Sequence, residues 1–307
     1  MRNLEQCLEE VFLPMSLSHV PSLQTVRCRE IVVSDLEGVI GLLTEGFQHV
    51  RDRAYWTNAI QALSEYASPP GYPKYGYLLE SNGLPVGVLL LVFYAASVGG
   101  TTRVRCNTSS WYVRSAFSSY APILARKATR HPDVTYLNIT PSPHTWPMLE
   151  AQGYRRFANG VFVSVPALSR SSSDLTIHLT SRGVPRDSIP QLPETDLLLA
   201  HQAYGCLSLV GVSGDQQYPF VFGLRRKHGV PLAHLVYCRD QQDFVRYAGP
   251  LGRFLAKRGF PLVVLDCNGP VSGLVGWYVA DKPKYFKGSD SPPLGDLAYT
   301  ERVMFGY

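Results

Sequence analysis

Two stretches 127 residues apart share a few residues in register, and no other feature constrains the chain as much. FSSYAPILARKATRHPDVTYLN, from Phe117, and FVRYAGPLGRFLAKRGFPLVVLD, from Phe244, place Phe, Tyr-Ala and Leu in register. With one gap, Leu137-Asn138 meets Leu265-Asp266. Each stretch reads as a helix followed by a strand, so two copies of one α/β unit are expected. Length agrees with this, because 307 residues exceed the usual single domain.

The first copy is the more readable. TVRCREIVV (25–33) is rich in β-branched residues and predicts a strand. SDLEGVIGLLTEGF (34–47) predicts a helix, with Ser34 and Glu37 in capping-box spacing and Leu36, Val39, Ile40, Leu43 and Phe47 at helical intervals. AYWTNAIQALSEYA (54–67) predicts a second helix. YGYLLES and LPVGVLLLVFYAA follow, with Asn82-Gly83 between them as the signature of a tight hairpin. TRVRCNTSSWYV (102–113) is a third strand of that sheet, and the helix after it sets Ala121, Leu124, Ala125 and Ala128 on one face. A strand at 134–140 and a short helix at 144–153 come next. YRRF and VFVSVPAL then flank Ala158-Asn159-Gly160 as an expected closing hairpin.

The polar run LSRSSSD (168–174) predicts a connection. Beyond it, strands at 206–214, 218–227 and 231–240 lead into a helix near 243–259 and a strand at 260–267. The expected division is therefore residues 1–168 and 169–307. The fold class is α/β, a mixed and mostly antiparallel sheet flanked by helices, in two tandem copies.

Hydrophobic content of 45% with 17% charged residues is enough to build a core. A net charge of +5 is scattered rather than gathered, which leans toward an anionic ligand and argues against nucleic acid as a partner. The short runs Arg155-Arg156 and Arg225-Arg226-Lys227 read as solvated strand ends or turns. Six cysteines form no C-x-x-C pair and have no His at metal-ligand spacing, so no metal site is expected and a reducing cytoplasm fits best. The first twenty residues suggest a short amphipathic helix rather than a signal peptide, and the apolar run VGVLLLVFYAA is too short to cross a membrane.

This order of elements resembles the GCN5-related N-acetyltransferase (GNAT) superfamily over residues 25–167, and more weakly over 200–307. Its tandem-domain acyltransferases are the closer likeness. The resemblance implies transfer of an acyl group, acetyl above all, from acyl-CoA to an amine. It also implies a fourth strand that splays from the fifth, with an open edge for the pantetheine arm. A turn of the form V-x-P-x-x-R-G-x-G-x-G/A would follow, wrapping the pyrophosphate.

Laid on this chain from Val113, the turn reads V-R-S-A-F-S-S-Y-A-P-I. Ser115 replaces Pro, Ser118 replaces Arg or Gln, and Ser119 and Ala121 replace glycines. The resemblance assigns acetyl-CoA or another acyl-CoA to Tyr112, Val113, Arg114, Ser118, Ser119, Tyr120, Ala121 and Pro122. Physically, a helix N-terminus offers free N–H groups and a positive dipole whatever the side chains. Ser118 and Ser119 would add hydroxyls there or simply cap the helix. Arg114, Arg126 or Lys127 would supply charge. A second signature, N-x-x-A-x-x-L-Y-E-K-x-G-F, aligned on Gly153-Tyr154, keeps Glu150 but puts Leu149 where a Tyr commonly protonates the leaving thiolate.

Transfer to an ammonium needs a base or a held water. Cys106, Asn107, Thr108, Ser109 and Ser110 make a central strand unusually polar, so they line a cleft or build an internal network. Asn107, Ser109 and His144 are the candidate catalytic residues, although a lone loop histidine such as His144 is more often a surface residue. Cys106 has no readable His or Asp partner for nucleophilic work. Asp266 and Asn268 end a strand, either lining an acceptor pocket or shaping a turn. The aromatic tail with Tyr278, Tyr285, Phe286, Tyr299 and Phe305 is expected to close the domain. The second copy, with Asp240 and Asp243 at its turn, would repel phosphate and is read as a structural partner or as part of the acceptor cleft.

A small-molecule or peptide amine is the expected acceptor, without nucleic acid or membrane, and the sequence carries no signal for an oligomeric state. Two other readings stand beside this one. One is a FemAB-like aminoacyl transferase, against which the absence of a long basic arm argues. The other is a catalytically degenerate protein that binds CoA or only scaffolds.

Overall fold

The computed structural model describes residues 25–98, 100–170, 172, 174–180 and 192–306; the expected N-terminal helix and Cys7 lie outside them. The first half runs β1 (Val26–Glu30), α1 (Leu36–Phe47), α2 (Arg53–Glu65), β2 (Gly76–Ser81), β3 (Leu84–Val98) and β4 (Thr101–Val113). It continues with α3 (Ala121–Ala128), β5 (Thr135–Asn138), α4 (Trp146–Ala151) and β6 (Arg155–Ser164). The second half runs β7 (Thr176–Leu179), α5 (Thr195–Ala203), β8 (Leu207–Ser213), β9 (Gln216–Lys227) and β10 (Val230–Cys238). Then come α6 (Gln241–Arg246), α7 (Ala248–Ala256), β11 (Leu262–Cys267), β12 (Gly276–Lys287) and α8 (Glu301–Met304).

All twelve strands form one mixed sheet, ordered β1-β2-β3-β4-β5-β12-β6-β11-β10-β9-β8-β7. The order reads alike from both ends: β1 to β5 mirror β7 to β11, and β12 and β6 change places at the centre. Each half thus lends one strand to the other. The parallel pairings agree to the residue, Arg105 to Asn107 against Thr135 to Leu137 and Leu232 to His234 against Leu262 to Val264. Both run at the 127-residue spacing read from the sequence, and without the gap: Leu137 corresponds to Val264, and Asp266 to Ile139.

Helices cover both faces. On the first face, Val39, Ile40, Leu42 and Leu43 of α1 and Trp56, Ala59 and Ile60 of α2 pack on Leu78, Val88, Leu90 and Val92. Leu198 of α5 and Val303 of α8 continue that layer over the second half. On the second face, α3 and α4 pack against Leu79, Leu91 and Phe93, while α6 and α7 pack on Phe222, Leu235 and Leu265. Full burial of each such aliphatic side chain contributes about 1.5–3 kcal/mol.

The Asn82-Gly83 hairpin forms as expected, with φ of 52° and 77° at the two turn residues. Three local expectations are corrected. Ser34 does not cap α1; a 3-10 turn, Val33–Asp35, precedes it, and the Asp35 carboxylate takes the Val32 N–H at 2.8 Å. The helix expected at 243–259 is two helices meeting at Tyr247. Ala158-Asn159-Gly160 is no hairpin: β6 runs straight through it, paired with β11 on one side and β12 on the other. Gly160 serves close approach instead, since a Cβ there would lie 2.6 Å from the Tyr278 ring.

Candidate functional site

β4 pairs with β5 only from Arg105 to Asn107, then runs on to Val113 while β5 ends at Asn138. The two strands therefore part. Just past the divergence β4 carries a bulge: Leu90 faces Ser109 and Val88 faces Tyr112, and Ser110 between them takes φ of 55°. The extra residue restores phase, so Asn107, Ser109 and Tyr112 share the face covered by α1 and α2, whereas Val113 packs on the opposite face. Gly46 of α1 lets the Tyr112 ring lie against the helix, where a Cβ would come within 2.4 Å. Among the described residues, no backbone group pairs with the β5-side edge of β4 beyond Asn107.

The second half repeats this arrangement with one difference. β10 pairs with β11 through His234, bulges at Val236, and continues to Cys238. Here the freed edge is taken by the chain's own C-terminal segment. Leu297 N–H donates to Val236 O at 2.8 Å, and Cys238 N–H donates to Gly295 O at 2.9 Å. Gly295 is needed for that fit, with φ of 89° and space for no Cβ, which would lie 2.7 Å from Cys238 Sγ. Among the described residues, one split edge is filled and the other is open.

Solved structures share this architecture. A GCN5-related N-acetyltransferase from Anabaena variabilis superposes with a TM-score of 0.56 at 9% identity, covering 86% of this chain and 72% of that one. One from Kribbella flavida gives 0.55 at 10% identity, covering 86% and 71%. Eis1 from Mycobacterium abscessus gives 0.50 at 8% identity, covering 89% and 74%. The chain has the GCN5-related N-acetyltransferase fold. No protein-family model matches it, and no curated protein does.

Within the GNAT fold the turn after β4 differs from expectation. It is a 3-10 helix, Ser115–Tyr120, running directly into α3. Phe117 N–H donates to Arg114 O at 2.8 Å and Ala121 N–H to Ser118 O, and Pro122 has no N–H to give. The Ala121 N–H is thus engaged, and those of Ser115 and Ala116 remain without a backbone partner among the described residues. Ser118 and Ser119 cap nothing and stand exposed, while Tyr120 packs toward the α3 core. Arg114 is held by Glu45 of α1, at 2.8 Å from Nη2, and Tyr112 Oη donates to the same carboxylate at 3.1 Å. Those contacts hold Glu45 below the usual carboxylate range, Arg114 first among them. Arg126 and Lys127 lie in the last turn of α3, away from its N-terminus.

The candidate catalytic residues separate. Asn107 is fully buried and its Nδ2 donates to Glu301 of α8. Ser109 is buried, its hydroxyl 2.9 Å from that of Ser110. His144 is exposed in a 3-10 turn before α4, with no side-chain hydrogen bond or ion pair among the described residues. Leu149, in the place of the thiolate-protonating Tyr, is a buried core residue.

Glu301 is what the sequence did not disclose. Its carboxylate takes Asn107 on one oxygen and the Thr140 hydroxyl, at 2.6 Å, on the other. Burial raises its pKa above the ordinary glutamate value, and the Thr140 and Asn107 bonds offset part of that rise. Next to it, Arg302 Nη1 lies 3.3 Å from His234 Nδ1, so the imidazole accepts there and carries its proton on Nε2. His234 Nε2 faces Asp266 at 3.8 Å, and Asp266 is ion-paired with Lys284, all three side chains being buried. Burial lowers His234 to about 4, against a smaller opposing effect of Asp266. Burial also lowers Lys284, with Asp266 opposing, while the nearby Lys284 charge holds Asp266 ionised despite its burial. Asp266 therefore belongs to an internal ion pair, and Asn268 ties β6 by accepting from Asn159 N–H at 2.9 Å. Their sequence neighbours gave no sign of this, since Asn107 and Glu301 stand 194 residues apart.

Among the described residues, no group of His, Cys, Asp or Glu is arranged to hold a metal, and no helix is long and apolar enough to cross a membrane.

Proposed function

We propose that this protein transfers an acyl group, acetyl in the first instance, from acyl-CoA to an amine. The observation that carries this reading is the unequal fate of two equivalent edges. The tail fills the β10 edge, whereas among the described residues the β4 edge keeps main-chain groups available along Ser109 to Val113. A pantetheine arm carries amide groups that can pair with such an edge. Residues 1–168 are then the donor-binding copy, and 169–307 the degenerate partner.

The bound thioester would supply the activated acyl carbon. Ser115, Ser118 and Ser119 hydroxyls with the Ser115 and Ala116 N–H groups would hold phosphate, a fit supported by their exposure and weakened by the Glu45 hold on Arg114. Glu301 would take the proton that an ammonium acceptor must lose, and a raised pKa suits a carboxylate to that work. Asn107 and Thr140 would orient Glu301. A thiolate leaves readily near its pKa of about 8.5, so Leu149 slows the departure without preventing it.

The Arg114–Glu45 pair and the engaged turn favour the second reading, a protein that binds CoA without turning it over. Thermal unfolding with and without CoA and acetyl-CoA tests both. Ligand at a hundred times its dissociation constant stabilises by about 2.7 kcal/mol. Stabilisation followed by thiol release with an amine supports transfer; stabilisation without release supports the second reading. No stabilisation by any CoA species removes both. Ala121→Glu should abolish the response.

A further inference from the structure

A cavity of about 790 Å³ lies where the strands of the second copy part. Tyr237, Cys238 and Arg239 line it, just beyond His234, the last residue of β10 that pairs with β11. Its other walls come from β3 and β4, the start of α5 and the C-terminal tail at Pro293, Asp296 and Tyr299. Its size suits a small organic ligand.

Two groups on the wall select the chemistry of that ligand. Tyr94 and Arg105 face each other across β3 and β4 and are only 1% and 2% exposed. Among the described residues, neither Tyr94 Oη nor Arg105 Nε meets a partner at hydrogen-bond geometry. Burial raises the Tyr94 pKa, with the Asp296 charge adding to the rise and the nearby Arg105 opposing it, so the phenol keeps its proton. Buried donors left unsatisfied are costly, and a ligand that satisfies both removes that cost. Nε–H can only donate, so the ligand must bring an acceptor; an ammonium, which only donates, brings none. An anion gains little, because both guanidiniums on the wall are already paired, Arg105 with Asp296 at 2.5 Å and Arg239 with Glu194 at 2.6 Å. An uncharged oxygen acceptor is what fits. The Tyr94 and Tyr299 rings, their centroids 5.6 Å apart, and Tyr237 supply aromatic walls for a planar body.

We infer that this cavity is a second ligand site, which takes a small uncharged aromatic molecule through a carbonyl oxygen accepting from Tyr94 O–H and Arg105 Nε–H. Its occupant steadies the tail against β10. Neither part depends on the acyl-transfer reading. Asp296 and Ala298 on the wall flank Leu297, whose N–H donates to Val236 O, and Tyr299 stands two residues before Glu301. The ligand therefore touches the segment that fills the second edge and carries Glu301 to Asn107.

Calorimetric titration of the full chain, without CoA, tests the site. Benzamide and acetophenone are the probes, with benzoate, benzylamine and ethylbenzene as the anionic, cationic and carbonyl-free counterparts. Saturable binding of both carbonyl compounds is expected, at least fivefold weaker in Tyr94→Phe and at least fivefold weaker for each counterpart. Affinity unchanged in Tyr94→Phe, any counterpart binding as tightly as benzamide, or no binding of either carbonyl compound at millimolar concentration would each overturn the site. Amide hydrogen exchange tests the second part. Saturating benzamide should slow exchange of the Leu297 and Cys238 N–H groups at least threefold; unchanged exchange at saturation would overturn the steadying of the tail and leave the site standing.

Discussion

Glu301 and Arg302, neighbours on α8, grip equivalent positions of the two copies. Glu301 holds Asn107 of β4, and Arg302 holds His234 of β10, 127 residues further on. One four-residue helix therefore pins both strands at the last pair before each diverges.

Glu301→Gln keeps the shape and one acceptor oxygen, turns the other position into an N–H donor, and cannot take a proton. If Glu301 is the base, amine-dependent thiol release should fall at least about a hundredfold while the CoA-induced thermal shift persists. Activity retained within a factor of three would assign Glu301 to structure alone.

Releasing Arg114 should tighten the donor site. Glu45→Gln removes the carboxylate that holds it, and CoA should then bind severalfold more tightly, with steeper salt dependence. Adding Arg114→Ala to that variant should undo the gain, as titration of both proteins would show.

The buried Lys284–Asp266 pair should be costly to break on one side. Lys284→Met alone leaves a buried carboxylate, for an expected loss of about 3–5 kcal/mol in denaturant unfolding. Lys284→Met with Asp266→Leu should cost less than the two single changes added together.

Acid should destabilise the fold through its buried histidines. His201 Nε2 accepts from Tyr299 N–H at 3.4 Å, so Nδ1 carries the proton given to Leu197 O at 2.8 Å. Burial lowers this imidazole to about 4 from 6.5, and His234 likewise. The unfolded chain then takes up protons first, and stability falls as pH drops from 6.5 to 4 and not above 7. Each histidine contributes about 3 kcal/mol to that loss at its acid limit. His201→Asn should reduce proton uptake on unfolding at pH 5 by about one.

Gly295→Val tests the filled edge. With φ of 89° and Cys238 Sγ in the way, it should cost at least about 2 kcal/mol. Gly269→Ala, which meets nothing within 4 Å, should change stability by less than about 0.5 kcal/mol.

What the sequence disclosed follows from the range of the forces. The helical spacing of Val39, Ile40 and Leu43 and the Asn82-Gly83 turn are local, and both were readable. The repeat was readable because equivalent positions need similar side chains, as Phe117 and Phe244 do. The exchange of β6 and β12 was not, because pairing partners separated by over a hundred residues leave no local mark. Gly160 was misread for that reason: a glycine beneath a distant ring looks the same as one in a turn. The open edge of β4 was an expectation of the family resemblance alone, since its polar residues fitted a cleft and an internal network equally, whereas Glu301 sits in a tail whose aromatic residues drew the reading toward closure.

The exchanged strand also sets an order of assembly. β12 supplies the partner for the β5 edge, yet its residues, Gly276–Lys287, leave the ribosome well over a hundred residues after β5. Until then the first half exposes an unpaired strand edge, which invites contact with other chains. A gene cut at residue 168 would therefore yield a half that lacks its own neighbour, and supplying residues 169–307 as a separate chain should restore it.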